Sequence, residues 1–140
     1  MLRYGITIFL SAFLLFEVQL ILAKRILPWF GGAPAVWTTC MLFFQLLLLA
    51  GYAYAHGLAA HLSMTAQRRL HLALIAVSLG LLALLWGAWG NPILPDADWK
   101  PQDSSLPVWR ILVLLGAGVG LPFFLLSATN PLLQAWFSRA

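Results

Sequence analysis

The sequence is short of charge: Asp, Glu, Lys and Arg together make up 9% of it, against 62% hydrophobic residues. An average soluble domain carries about 25% charged residues, and those residues keep its surface in water. Four acids and eight bases cannot cover a globule this rich in Leu, Ala, Phe and Trp, which excludes a water-soluble domain. The excess of bases does not indicate nucleic acid. Arg3, Lys24-Arg25, Arg68-Arg69, Lys100, Arg110 and Arg139 stand singly or in pairs at the ends of apolar runs, with no basic stripe. Cysteine is nearly absent. Cys40 alone allows no intramolecular disulfide and no zinc site built on several thiolates, and inside an apolar run it behaves as a small hydrophobe. Also lacking are a phosphate-cradling Gly loop, a Ser or Cys nucleophile beside a base, and a carboxylate pair in a pocket, so neither an enzyme nor a metal site is expected.

What is present is a series of apolar runs. A bilayer-spanning helix needs roughly 20 mostly apolar residues, and the sequence offers such spans at about 4–23, 35–61, 70–90 and 108–128. The first ends at Lys24-Arg25. It is too long for the apolar part of a signal peptide, roughly 7–15 residues, and it contains Glu17. The prolines and Gly pair of Pro28-Trp29-Phe30-Gly31-Gly32-Ala33-Pro34 predict a loop, and Ser63 to Arg69 a short polar turn. The stretch 91–107, with Asp96, Asp98 and Asp103, predicts a polar external loop, and Pro122 a kink in the fourth span. Ser127-Ala128-Thr129-Asn130-Pro131 is expected to end that span. The runs lack the period-two alternation of barrel strands and are far longer than them. The expected fold is therefore all-α: one integral membrane domain over 1–140, with four transmembrane helices in two hairpins.

Lys and Arg divide evenly between the two sides that four spans define, so the positive-inside count is a tie. The free amino terminus and the position of the aspartate-bearing loop favour both termini in the cytoplasm. Six of the seven tryptophans, Trp29, Trp37, Trp86, Trp89, Trp99 and Trp109, fall at the opposite ends, where indoles favour the headgroup region.

Within the spans, Glu17 stands out. It lies seven residues before Lys24, roughly 10 Å along a helix, and ionisable groups at that depth usually face a bundle interior or a cavity. Lys24 and Arg25 project from much the same face, and Gln45 enters the second span to a similar depth. Glu17, Gln45, Lys24 and Arg25 therefore form a candidate polar intramembrane site, with a Glu17–Gln45 contact that could simply fasten the first helix to the second. His56 and His71 flank the 63–69 turn and could face each other in the geometry of a bis-histidine haem or pigment. No other residue marks a cofactor site, so none is expected. The small-residue pairs Gly51/Ala55 and Gly116/Gly120 suit close helix packing, against each other or another subunit.

Several segments together resemble the membrane region of bacterial spermidine-synthase-like fusion proteins: Leu10-Ser11-Ala12-Phe13 through Glu17 to Lys24-Arg25, Leu27-Pro28-Trp29-Phe30-Gly31-Gly32, Pro34-Ala35-Val36-Trp37, Phe43-Phe44-Gln45 and Gly51-Tyr52-Ala53-Tyr54-Ala55-His56. Gly120-Leu121-Pro122-Phe123-Phe124, Leu126-Ser127-Ala128-Thr129, Pro131-Leu132-Leu133-Gln134 and Trp136-Phe137 extend it. The resemblance implies major-facilitator-like helices in the bacterial inner membrane, fused in that family to a polyamine-synthase-like domain. The sequence ends at Ala140 without such a domain, so a truncated or split member is expected, and the family's enzymatic activity does not carry over. The functional expectation is a non-enzymatic accessory subunit, its partners the lipid bilayer and other membrane helices. One alternative is part of a transporter-like bundle with a polar site at Glu17 and Gln45. Another is a haem- or pigment-holding subunit using His56 and His71.

Overall fold

The computed structural model describes residues 2–30, 34–90 and 107–139, and all of its regular structure is helical. Helix α1 is Leu2–Ile26 and runs into a single 3₁₀ turn at Leu27–Phe30, where the prolines had predicted only loop. Helix α2 is Pro34–His61, opening on a proline whose missing N–H costs nothing in a first turn. Helix α3 is Met64–Trp89. Helices α4, Pro107–Leu115, and α5, Leu121–Ser138, are joined by a π-helical turn at Gly116–Gly120 into one continuous rod. Among the described residues, four rods are long and apolar enough to cross a membrane: Gly5–Ile26, Pro34–His61, Met64–Ala88 and Val108–Ser138. The external loop expected at 91–107 falls, up to residue 106, outside the described residues.

Two boundaries differ from expectation, each for a local reason. The 63–69 turn shrinks to Leu62-Ser63, because the Ser63 hydroxyl accepts the Ala66 N–H at 3.4 Å and caps α3. Gln67, Arg68 and Arg69 thus belong to the first turns of α3. At its other end, Gly90 takes φ +66° and returns its N–H to the Trp86 carbonyl, a left-handed cap that suits glycine. The fourth rod does not stop at Ser127–Pro131. It continues through Pro131 to Ser138. Proline inside an apolar rod is tolerated where neighbouring helices and hydroxyls satisfy nearby backbone groups. Ahead of Pro122, the π turn absorbs the change of hydrogen-bond register that proline forces.

The fourth rod is the centre of the bundle. Of its most apolar window 56% is buried, against 22%, 22% and 11% for the first three. Helix α5 touches α1, α2 and α3, and α4 packs on α2. Helix α1 meets this axis through Ser11, Leu15, Val18, Leu22 and Ile26, one face at three- and four-residue spacing. Helix α2 contributes Cys40 and Phe44, whose ring lies 4.8 Å from that of Phe123. Lipid is as apolar as leucine, so close packing and interhelical hydrogen bonds hold the rods together.

Candidate functional site

Helix α5 carries Ser127, Thr129 and Asn130 in the middle of an apolar rod, where polar groups must find partners inside the protein. The Ser127 hydroxyl donates to the Phe124 carbonyl at 2.7 Å and lies 3.3 Å from the Leu47 carbonyl on α2. Opposite it sits Gly51. A Cβ there would collide with Ser127 Oγ and come within 3.1 Å of the Ala128 amide nitrogen and the Phe124 carbonyl oxygen. The glycine is what lets α2 and α5 approach this closely. On the other flank, the Ser11 hydroxyl of α1 donates to the Leu126 carbonyl at 3.2 Å.

Two residues further along α5, the Thr129 hydroxyl donates to the Leu125 carbonyl at 2.8 Å. Its oxygen also lies 3.1 Å from His71 Nε2. A hydroxyl that has given its proton to a carbonyl can only accept, so His71 donates from Nε2, and in the neutral imidazole Nδ1 is then the bare nitrogen. His71 is buried, its ring 6.1 Å from Tyr54 and 6.5 Å from Trp136. The Tyr54 hydroxyl, His71 Nδ1 and Asn130 Oδ1 are buried without a hydrogen-bonding partner among the described residues. Below this layer, fully buried Gln67 accepts from Trp136 Nε1 at 2.7 Å and donates to the Leu62 carbonyl at 2.7 Å. Arg68 covers the Trp136 ring at 5.5 Å, and Arg139 donates to the Ala59 carbonyl at 3.1 Å. This end of the bundle, where α2, α3 and α5 meet, is tied by side chains.

Between α1, α2 and α5 lies a cavity of about 310 Å³. Its polar lining is Gln19, Gln45, Tyr52 and Asn130, with Phe44 and Phe123 among its walls. Among the described residues, every polar side chain lining it is an amide or a phenol. Such a lining can hold an uncharged hydrogen-bonding group and offers no carboxylate or imidazole for proton transfer.

Of the residues singled out from sequence, Gln45 reaches this cavity and Glu17 does not. Glu17 is half-buried on α1, two positions before Gln19 and thus about 200° around the helix from it. Among the described residues no hydrogen bond or ion pair of Glu17 is found, with Gln45 or with Lys24 and Arg25, which are exposed in the last turn of α1. Gln19, unremarked in the sequence, instead donates to the Met41 sulfur at 3.0 Å and links α1 to α2. The two small-residue pairs do not meet each other. Gly51 and Ala55 pack on α5, a Cβ at Gly120 would come 3.9 Å from the Phe43 ring, and Gly116 is exposed, with open space where a Cβ would stand. Nor are His56 and His71 brought together as axial ligands. Tyr54 is the α2 residue against His71, and His56, two residues on, lies exposed on the opposite side of that helix. Sequence reasoning also passed over Gln67, Ser127, Thr129 and Trp136. The signal available was their position as isolated polar groups within apolar periodicity.

The fold and its polar interior define an all-α protein with four helices long and apolar enough to cross a membrane, the last of them forming the core. Compared with known proteins, the chain matches no family model, no curated protein and no solved structure.

Proposed function

We propose that this chain is a polytopic membrane subunit with no reaction of its own, which acts by packing against further membrane helices. The observation that carries this reading is the exposure of Gln45 on α2, at the rim of the cavity it lines with Gln19, Tyr52 and Asn130. It stands eleven residues beyond Pro34, about 16 Å into the rod. Hydrocarbon offers an amide no partner, so a polar side chain at that depth normally meets another helix. Tyr52 is exposed on the same face, two turns on. The outer face of α3 is the counter-example: Leu72, Val77, Leu79 and Leu84 are exposed there without a polar group, as suits lipid. The resemblance to the membrane region of the fusion proteins points the same way, since those helices belong to a larger helical region.

Gentle extraction from native membranes tests the reading. The expected result is a detergent-corrected protein mass well above the 15.5 kDa of one chain. A homogeneous particle containing a single copy and nothing else, both in mild detergent and after return to vesicles, would overturn it.

A further inference from the structure

The cavity between α1, α2 and α5 has a closed side and an open one. Its back wall includes the buried rings of Phe44 and Phe123, 4.8 Å apart. Phe16 on α1 and Gln45 and Tyr52 on α2 also line it and are exposed. Both helices pack more extensively on α5 than on each other, so the mouth lies between α1 and α2. In a bundle that spans a bilayer, such a mouth opens sideways into lipid. We propose that the cavity binds a neutral lipid whose polar group carries a hydroxyl, which enters from the membrane and leaves its acyl chains in the mouth. This goes beyond the packing reading and does not depend on it. An amide has two donor hydrogens and an acceptor oxygen, so Gln45 can serve a ligand and a neighbouring helix together.

The chemistry of the occupant follows from the groups left unmatched. Asn130 Oδ1 is buried and has no partner among the described residues. A buried acceptor without a donor is costly, so the site asks for an O–H or N–H. Gln19 gives its amide hydrogen to the Met41 sulfur at 3.0 Å, which leaves its carbonyl oxygen to accept. The side chains of Gln45 and Tyr52 make no hydrogen bond among the described residues. The lining thus offers donors and acceptors without charge. A plain hydrocarbon would leave Asn130 unmet, and a lipid bearing only ester or ether oxygens would bring it no donor. A phosphate-bearing headgroup would shed its water against a lining that, among the described residues, has no Lys or Arg. Depth points the same way. Tyr52 stands nine residues before His61 and Asn130 eight before Ser138, about 14 and 12 Å along their rods. Those two ends lie on one side of the bundle, where Arg139 reaches the Ala59 carbonyl. A hydroxyl on a neutral lipid reaches that depth without stranding a charge. At about 310 Å³ the cavity is at the small end of ligand pockets, so it holds the polar part and the first acyl carbons, not a whole lipid.

The test uses the full chain in phosphatidylcholine vesicles that hold a trace of dioleoylglycerol with a diazirine beside one ester. Illumination is expected to place adducts at the mouth, on Phe16, Gln45, Leu48 or Tyr52, in preference to exposed Leu79 and Leu84 of α3. Excess dioleoylglycerol is expected to remove those adducts, and its O-methyl ether to compete about tenfold less well. Equal competition by the ether would overturn the proposal. So would adducts spread evenly over α1, α2 and α3 and indifferent to either competitor, which would mean an adventitious bilayer lipid only. Adducts absent from the lining would mean a hydrated cavity only, and would overturn it too. These comparisons are made within the unaltered chain and need no variant to fold. Asn130→Leu then assigns the acceptor: adducts are expected to persist while the preference for the alcohol over the ether disappears. Full preference in that variant would refute the pairing of the hydroxyl with Asn130.

Discussion

Replacing Gly51 by alanine adds one methyl group, and the structure says what that methyl meets. It would run into Ser127 Oγ and sit 3.1 Å from both the Ala128 nitrogen and the Phe124 carbonyl oxygen. The hydroxyl can rotate away only by giving up its 2.7 Å bond to Phe124 and its 3.3 Å approach to Leu47. The two backbone atoms can yield only if α2 and α5 separate by a few tenths of an ångström. Overpacking of this kind costs about 1–3 kcal/mol, and a lost hydrogen bond within a membrane bundle about 0.6 kcal/mol on average. Alanine recovers up to about 1 kcal/mol of helix propensity, so the net expectation is a loss of about 1–2 kcal/mol. Gly57, on the same helix, supplies the control, since a Cβ there would meet nothing within 4 Å: Gly57→Ala is expected to be neutral or slightly stabilising. The assay is reversible unfolding in mixed micelles followed by tryptophan fluorescence. Ser127→Ala in the Gly51→Ala background is expected to restore part of the loss, a positive coupling in a double-mutant cycle. Equal stability of the Gly51→Ala and Gly57→Ala variants would refute the close approach of α2 to α5.

Two further perturbations address the polar layer. Trp136→Phe keeps the ring beside His71 but removes the indole donor from Gln67 Oε1, leaving a fully buried acceptor unmet. A loss of about 1–2 kcal/mol in the same assay is expected, with faster hydrogen exchange at Leu62–Arg68, and unchanged stability would count against the link. Thr129→Val preserves shape and deletes the acceptor of His71 Nε2–H. Nitrogen NMR of the imidazole is expected to report a protonated Nε2 and bare Nδ1 in the parent chain, with that preference lost in the variant; an Nδ1–H parent would contradict the assignment.

The mismatches between sequence and structure share one cause. Ser127 to Pro131 reads as a helix end because its residues favour turns in water. Inside the bundle, the Ser127 and Thr129 hydroxyls instead donate back to carbonyls of their own helix, and the rod continues. Likewise Gln67 looks like part of a solvated turn beside Arg68-Arg69, yet it is among the most enclosed side chains of the chain because Trp136 is brought onto it from α5. Glu17 drew attention by its charge, which is visible in sequence. Whether it faces a cavity depends on the rotation of α1 against its neighbours, and that rotation places Gln19 there instead.

Composition and run length alone were sufficient for the helical class and the four apolar rods, because both depend on local quantities: how apolar a segment is, and whether its backbone can satisfy itself within one helix. Which rod lies at the centre, which glycine carries a contact, and that Tyr54 rather than His56 meets His71 were decided only by the assembled bundle. Those features depend on the relative rotation and spacing of helices distant in sequence. Every rod here is apolar on most of its circumference, so its own pattern of hydrophobicity says little about which side turns inward.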